Sequence, residues 1–84
     1  MPVRILYFAA LRERLGCSAE SVVLRPEIAT AGKLREHLAA RGGEWVALVQ
    51  TRNLRMAVNH VTVVPDTALA DGDEIAFFPP VTGG

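Results

Sequence analysis

Apolar positions at the start of the chain change from the spacing of a strand to that of a helix. Residues 3–8 are rich in β-branched and aromatic residues and are apolar on both faces rather than alternating, which predicts a central strand. Leu11 and Leu15, four residues apart, predict a short amphipathic helix over residues 9–15. Gly16 directly afterwards is a typical helix C-cap. The first elements are therefore a strand and a short helix.

A second strand and a longer helix follow. Residues 20–25 predict a strand that ends at a proline. Thr30 is a typical N-cap, and the apolar positions after it indicate a helix that ends near Arg41. The Gly42-Gly43 pair comes where a left-handed C-cap is expected, so its role is structural.

The second half of the chain consists mainly of predicted strands. Residues 45–49 are apolar but fit either a helical turn or a strand. A strand over residues 54–59 is followed by a turn and a short strand over residues 61–64. Asp71-Gly72 predicts a tight turn into the last strand, over residues 74–78.

This order of elements predicts an α+β domain of the β-grasp, ubiquitin-like class. The apolar first and last strands pair in parallel near the centre of a mixed sheet, and the main helix crosses one face. In the last strand Ile75 and Phe77 then point one way, and Ala76 and Phe78 point the other. One helix covers only one face of such a sheet.

Two alternatives follow for the second face of the sheet. Either it is exposed as an apolar patch of the kind that marks a protein interface, or residues 45–49 or the short helix fold over it. If it is exposed, Phe8 and Phe78 are the best candidates for contacts with a partner.

Composition limits the size of the protein and its partners. The 84 residues fit one domain, residues 1–81, with a C-terminal Gly-Gly tail over residues 82–84. Nine basic residues balance nine acidic ones, so nucleic acid is not an expected partner. The single cysteine, and the lack of a pattern typical of a signal peptide or a membrane span, predict a cytoplasmic protein without membrane association.

The sequence contains no arrangement of side chains that is typical of a catalytic or metal site. His37 and His60 are far apart and have no cysteine or carboxylate at metal-ligand spacing. Asp71, Asp73 and Glu74 belong to a turn and lack the other ligands of a calcium loop. We expect no bound metal or cofactor.

The terminal glycine is the remaining candidate for a reactive group. Pro79-Pro80 cannot continue a helix or a central strand, so they direct the tail away from the domain, and Gly84 fits a narrow channel. A free α-carboxyl has a pKa of about 3.3 to 3.7 and is a poor electrophile at neutral pH. Another enzyme must activate it, for example as an AMP anhydride from which sulfur displaces AMP to leave a thiocarboxylate.

The C-terminal block, Leu69-x-Asp71-Gly72-Asp73-Glu74-x-Ala76-Phe77-Phe78-Pro79-Pro80-Val81-Thr82-Gly83-Gly84, resembles one family closely. It is similar to the small, sulfur-carrier subunits of molybdopterin synthase. Segments elsewhere, such as Tyr7-Phe8-Ala9 and Ala57-Val58-Asn59, extend the resemblance over the whole chain.

The resemblance implies a function for the tail. Gly84 would be adenylated by an ATP-using enzyme related to ubiquitin-activating enzymes and converted to a thiocarboxylate. The inserted arm would be Phe78, Pro79, Pro80, Val81 and Thr82, with Gly83 fitting the channel. A large subunit would hold the catalytic residues and transfer sulfur to a cyclic pyranopterin phosphate, commonly in a heterotetramer of two large and two small subunits.

Other functions share the glycine tail. One is a sulfur carrier for thiamine or tRNA thiolation, which usually lacks the Phe-Phe-Pro-Pro approach. Another is a ubiquitin-like modifier, whose terminal glycine is joined to lysine. A third is a binding module for which the tail is irrelevant.

Overall fold

The computed structural model describes residues 2–80. In this part of the chain five strands and three α-helices are present. Their bounds are β1 Val3–Tyr7, α1 Ala9–Leu15, β2 Ala19–Val22, α2 Ala31–Ala39, α3 Ala47–Gln50, β3 Arg55–Val58, β4 Val61–Val63 and β5 Glu74–Phe78; two 3₁₀ turns cover Pro26–Ile28 and Gly43–Val46.

The strands form one mixed sheet in the order β2-β1-β5-β3-β4. β1 and β5 are parallel, with Ile5 opposite Ile75 and Tyr7 opposite Phe77, and the other neighbouring pairs are antiparallel. With α2 packed on the sheet, this arrangement confirms the predicted β-grasp fold. The last strand is central, so both of its edges are paired.

Local sequence signals explain several of the element boundaries. The Thr30 hydroxyl accepts a hydrogen bond from the Lys33 N–H at 3.2 Å and caps α2, as predicted. Gly16 ends α1 with φ 68°, in the left-handed region that suits glycine. Six ends predicted from sequence extend past the observed ones: β1 ends at Tyr7, β2 at Val22, β3 begins at Arg55 and ends at Val58, β4 ends at Val63, and α2 ends at Ala39. The C-cap of α2 is Ala40 in a right-handed conformation, so the prediction that Gly42-Gly43 caps this helix is wrong.

The core lies between the sheet and the helices. Residues on one face of β1, β3 and β5 pack with α1, α2 and α3, and the buried members are Val3, Ile5, Tyr7, Leu11, Ile28, Ala31, Leu34, Leu38, Ala39, Ala47, Leu48, Met56, Leu69, Ile75 and Phe77. The stretch at residues 45–49, undecided by sequence, is helical and packs on this same side.

One close contact fixes α2 against the loop before β5. The Gly32 N–H donates to the Pro65 carbonyl at 2.8 Å. A Cβ at Gly32 would lie 2.9 Å from the Pro65 Cβ and 3.1 Å from its carbonyl oxygen. Only glycine allows this separation without a backbone shift.

Candidate functional site

The strand that leads to the C-terminal tail is held rigidly. β5 is bonded to β1 on one side and β3 on the other, and Ile75 and Phe77 are fully buried. Pro79 and Pro80 follow and are half-buried. Pro79 lines a groove of about 190 Å³ together with Ala10, Leu11, Arg14, Ala47 and Thr51. The base of the tail therefore has a fixed position on the domain.

An aromatic cluster supports this strand from the core. The Tyr7 and Phe77 rings stack with centroids 6.1 Å apart and planes at 16°. Trp45 meets Tyr7 edge-on, with centroids 5.5 Å apart. Such ring pairs add to the free energy gained from burial alone. Two of the three rings come from the parallel strands β1 and β5, so the cluster ties those strands together.

Glu20 connects the aromatic cluster to the end of α2. Its Oε2 accepts hydrogen bonds from the Tyr7 hydroxyl at 2.8 Å and from Arg41 Nη1 at 2.9 Å, and its Oε1 accepts one from Arg41 Nη2 at 2.7 Å. The Arg41 guanidinium also lies 4.4 Å from the centre of the Trp45 ring, a cation–π distance. This bidentate pair gives the buried Tyr7 hydroxyl a hydrogen-bond partner.

The three groups shift one another's pKa values. Burial, followed by the hydrogen bond to Glu20, raises the pKa of Tyr7 above its ordinary value, so the phenol remains protonated. The hydrogen bonds from Arg41 hold the pKa of Glu20 below its ordinary value against the opposing effect of partial burial. The same bonds raise the pKa of Arg41. Glu20 and Arg41 therefore stay charged near neutral pH, as a structural pair.

The face of the sheet opposite the described helices is uncovered by them. Alternation along the paired strands places one set of side chains there, and none of them is fully buried. We call this surface the open face; its members are Arg4, Leu6, Ala19, Ser21, Arg55, Ala57, Thr62, Glu74, Ala76 and Phe78. Of the two alternatives from sequence, the covered face is wrong, because α1 and residues 45–49 pack on the core side. The open face is mixed in character: its larger apolar side chains, Leu6 and Phe78, are half-buried among polar and small residues.

The predicted contact residues lie at one end of this face. Phe8 continues β1 in extended conformation, is 43% exposed, and donates its N–H to the Phe77 carbonyl at 3.2 Å. Phe78, the last residue of β5, is half-buried and belongs to the open face. The structure thus brings Phe8 and Phe78 to the end of the sheet where the tail begins. Val81, Thr82, Gly83 and Gly84 lie outside the described residues.

The remaining polar candidates have structural positions. Within residues 2–80, no group of three or more His, Cys, Asp or Glu side chains could hold a metal ion. Asp73 accepts hydrogen bonds from the Ala70 N–H at 2.8 Å and from Asn59 Nδ2 at 3.0 Å. It therefore ties the turn before β5 to the β3–β4 hairpin, a role that the sequence prediction of a solvated turn missed.

Sequence reasoning also missed the Tyr7–Glu20–Arg41 arrangement. Its signal was present: a tyrosine in a buried strand needs a hydrogen-bond partner, and Glu20 lies on the core face of its strand. The sequence predicts Arg41 at the end of the helix, but nothing in its spacing indicates which carboxylate it meets. Contacts of this kind depend on how β2 and the end of α2 pack together.

A family comparison matches nearly the entire chain. The sequence profile of the ThiS family matches residues 5–84. The chain belongs to the ThiS family. A family relative, the molybdopterin synthase sulfur carrier subunit of Haemophilus influenzae, is 43% identical over 82 residues, which are 98% of this chain and 99% of the relative.

Solved structures show the same fold. SAMP1 of Haloferax volcanii, a small archaeal modifier protein, aligns with a TM-score of 0.78 at 27% identity over 100% of both chains. A chain from the complex of subunits 1 and 2 of the molybdopterin-converting factor of Helicobacter pylori aligns with a TM-score of 0.67 over 100% of both chains. At 24% identity the latter likeness concerns the fold alone. Along residues 2–80, none of the helices has the length and apolar character needed to cross a membrane.

Proposed function

We propose that this ThiS-family chain is the sulfur carrier subunit of a molybdopterin synthase. In this proposal Gly84 is adenylated, receives sulfur as a thiocarboxylate, and donates that sulfur to a cyclic pyranopterin phosphate bound by a large subunit. The small subunit is a co-substrate, and the large subunit supplies the catalytic side chains. We place the protein in the cytoplasm.

One structural observation carries the proposal: the tail begins beside the end of the open face where Phe8 is exposed and Phe78 is half-buried. β5 is central and fixed, Pro79 and Pro80 follow at its end, and Phe8 and Phe78 lie beside that exit. A partner that covers the open face would be positioned to receive the tail. The 43% identity to the Haemophilus influenzae sulfur carrier subunit supports the sulfur-carrier function.

The proposed chemistry requires little from the small subunit's side chains. An ionised α-carboxylate must first be converted to a better electrophile, which an adenylyltransferase related to ubiquitin-activating enzymes does at the cost of ATP. Glycine presents the least steric obstruction at the attacked carbonyl. The two prolines restrict the conformations of the arm, so less conformational entropy is lost on insertion.

The proposed partners use overlapping parts of the same surface. The large subunit covers the open face while Pro79, Pro80, Val81, Thr82 and Gly83 lead Gly84 into its active site. The adenylyltransferase needs access to the same tail, so the two partners bind one after the other. We further propose that two large and two small subunits form the working assembly.

Modifier function is the main competing possibility because SAMP1 shares the fold at 27% identity. The first steps, adenylation of the terminal glycine and transfer to sulfur, are common to both functions. They diverge in the product: sulfur moves to a small molecule in one case, and the glycine is joined to a lysine in the other.

Changing the position of Gly84 tests the proposal directly. The chain is incubated with activating enzyme, ATP, a sulfide source and large subunit, and the C-terminal peptide and the pterin product are analysed by mass spectrometry. We expect an oxygen-to-sulfur exchange on the native tail, and no product after deletion of Gly84 or addition of one residue beyond it. The same addition at the N terminus is the matched control.

The outcomes separate the hypotheses. Undiminished sulfur transfer after deletion of Gly84 would contradict the carrier function. Adducts of the tail with lysine side chains, in place of pterin product, would support the modifier function. A thiocarboxylate that forms normally but yields product only with a thiamine or tRNA thiolation system would indicate one of the other sulfur carriers.

A further inference from the structure

We infer that Arg55 pairs with a carboxylate on the large subunit at the edge of the open face nearest the tail. This inference rests on the proposed function, because it concerns the partner that covers the open face. It adds an electrostatic requirement to a surface that is otherwise apolar at that end. The partner surface is expected to combine an apolar centre with an acidic residue beside it.

The sheet register places Arg55 beside the tail exit. Arg55 on β3 is the register partner of Phe78 on β5, and it shares the open face with that residue. It is exposed, and the next residue of β3 on the same face is Ala57. A cation therefore stands among apolar neighbours at the point where the chain leaves the domain.

The described residues provide no counter-charge for Arg55. None of the four ion pairs found within residues 2–80 includes it, and the side-chain hydrogen bonds of the same region do not use it. Glu74 is the acidic member of the open face, but it lies four residues from Phe78 along β5, about 13 Å away. That distance exceeds the Debye length of about 8 Å at physiological salt.

The second cation of the open face has a different environment. Arg4 is the register partner of Glu74, so an opposite charge lies on the adjacent strand. Arg4 also lines a shallow pocket together with Ala19, Glu20 and Ser21. None of the four ion pairs within residues 2–80 includes Arg4 either, but Arg4 has an acidic register partner on the adjacent strand, whereas the register partner of Arg55 on β5 is Phe78.

Covering the open face would make this imbalance costly. A partner that buries Phe78 must also remove water from around the neighbouring guanidinium, and an unpaired buried charge is strongly unfavourable. A carboxylate on the partner satisfies the guanidinium with two parallel hydrogen bonds and fixes the register of the complex. The alkyl part of the arginine side chain can still pack against the apolar surface.

Titration of the large subunit with charge variants tests the inference. Arg55→Glu is expected to weaken binding by roughly tenfold or more, and Arg55→Leu by severalfold, because removal of one partner leaves the facing carboxylate unpaired. The affinity of the wild type should also fall more steeply with salt than that of Arg55→Leu. Lys33→Glu, exposed on α2, is the matched charge control, and Phe78→Ala is the control for the surface itself.

The variants distinguish failure of the inference from failure of the proposed function. If Phe78→Ala weakens binding while Arg55→Glu and Arg55→Leu bind like the wild type, the carboxylate contact does not exist. Tighter binding by Arg55→Leu would overturn the inference in the same way. If Phe78→Ala also binds normally, the large subunit does not use the open face, and the interface in the proposed function fails with the inference. Cooperative urea unfolding of every variant verifies that its fold is intact.

Discussion

Glu20→Gln is the substitution that most directly tests what holds the tail-bearing strand in place. The change keeps the size of the side chain but removes the charge that pairs with Arg41. The glutamine oxygen can still accept one hydrogen bond from the Tyr7 hydroxyl. The variant therefore isolates the charged, bidentate part of the contact.

The expected loss follows from geometry and exposure. A hydrogen bond to a charged group contributes about 1.5 to 3 kcal/mol when it is shielded, whereas an exposed ion pair contributes at most about 1 kcal/mol. The side chains of Glu20 and Arg41 are 21% and 36% exposed, between these limits. We expect a loss of about 1 to 2 kcal/mol in the free energy of unfolding, which lowers the urea midpoint by about 1 M or more.

The effect should depend on pH with a definite sign. Arg41 lowers the pKa of Glu20 in the folded state, so unfolded Glu20 binds protons more readily than folded Glu20. The pair therefore stabilises the fold above the unfolded pKa of about 4.3, and this contribution is lost as the pH falls through the lower folded value. The stability gap between the wild type and Glu20→Gln is expected to shrink on acidification.

Urea unfolding followed by tryptophan fluorescence, at pH 7 and at several pH values below 4, measures this gap. Glu27→Gln is the matched control because Glu27 is 74% exposed and lies 3.9 Å from Arg25, so its loss should be below about 0.5 kcal/mol. A gap at pH 7 no larger than that of the control would refute the reasoning. So would a gap that stays constant through acidification, since it could not then come from the charge of Glu20.

Two further substitutions test local backbone requirements by thermal unfolding. Gly32→Ala should destabilise the protein by about 1 kcal/mol or more, because the steric clash of a Cβ 2.9 Å from the Pro65 side chain costs more than the helix propensity of alanine gains. Equal or greater stability would contradict this and would show that the Pro65 loop shifts at little cost. His60→Gly should stabilise the β3–β4 hairpin by about 0.5 kcal/mol, because His60 has φ 72° in a two-residue turn that favours glycine. A lower midpoint of thermal unfolding than that of the wild type would contradict this.

Sequence patterns predicted the features that depend on local periodicity. Alternation in β5 separated the buried Ile75 and Phe77 from the open-face Phe78, and the parallel pairing of the first and last strands is confirmed by their register. Capping and turn residues located the end of α1 at Gly16, the start of α2 at Thr30 and the start of β5 after Asp71-Gly72, because their conformational preferences act over a few positions. The β-grasp order followed from these elements together with the rules of strand connection.

Tertiary contacts set the features that the sequence left undecided. Residues 45–49 form helical turns because Trp45 packs on Tyr7 and Leu48 enters the core. A stretch of five residues is too short for hydrophobic periodicity to predict these contacts. Ala9 turns the chain from β1 into α1 with φ 54°, a conformation that alanine alone does not signal. The environment of Arg55 likewise emerged only once the register of β3 against β5 was known.

Two consecutive phenylalanines connect the stability of the domain to the use of its surface. Phe77 is fully buried and stacks on Tyr7, while Phe78, one position later, must point to the opposite face of the same strand. Because the two residues share one backbone bonded on both edges, the core contact of the first fixes where the second is presented. Pro79 and Pro80 begin from that fixed point. A partner that recognises Phe78 and Arg55 would therefore meet the tail at one defined position, without any side chain of this domain having to guide it.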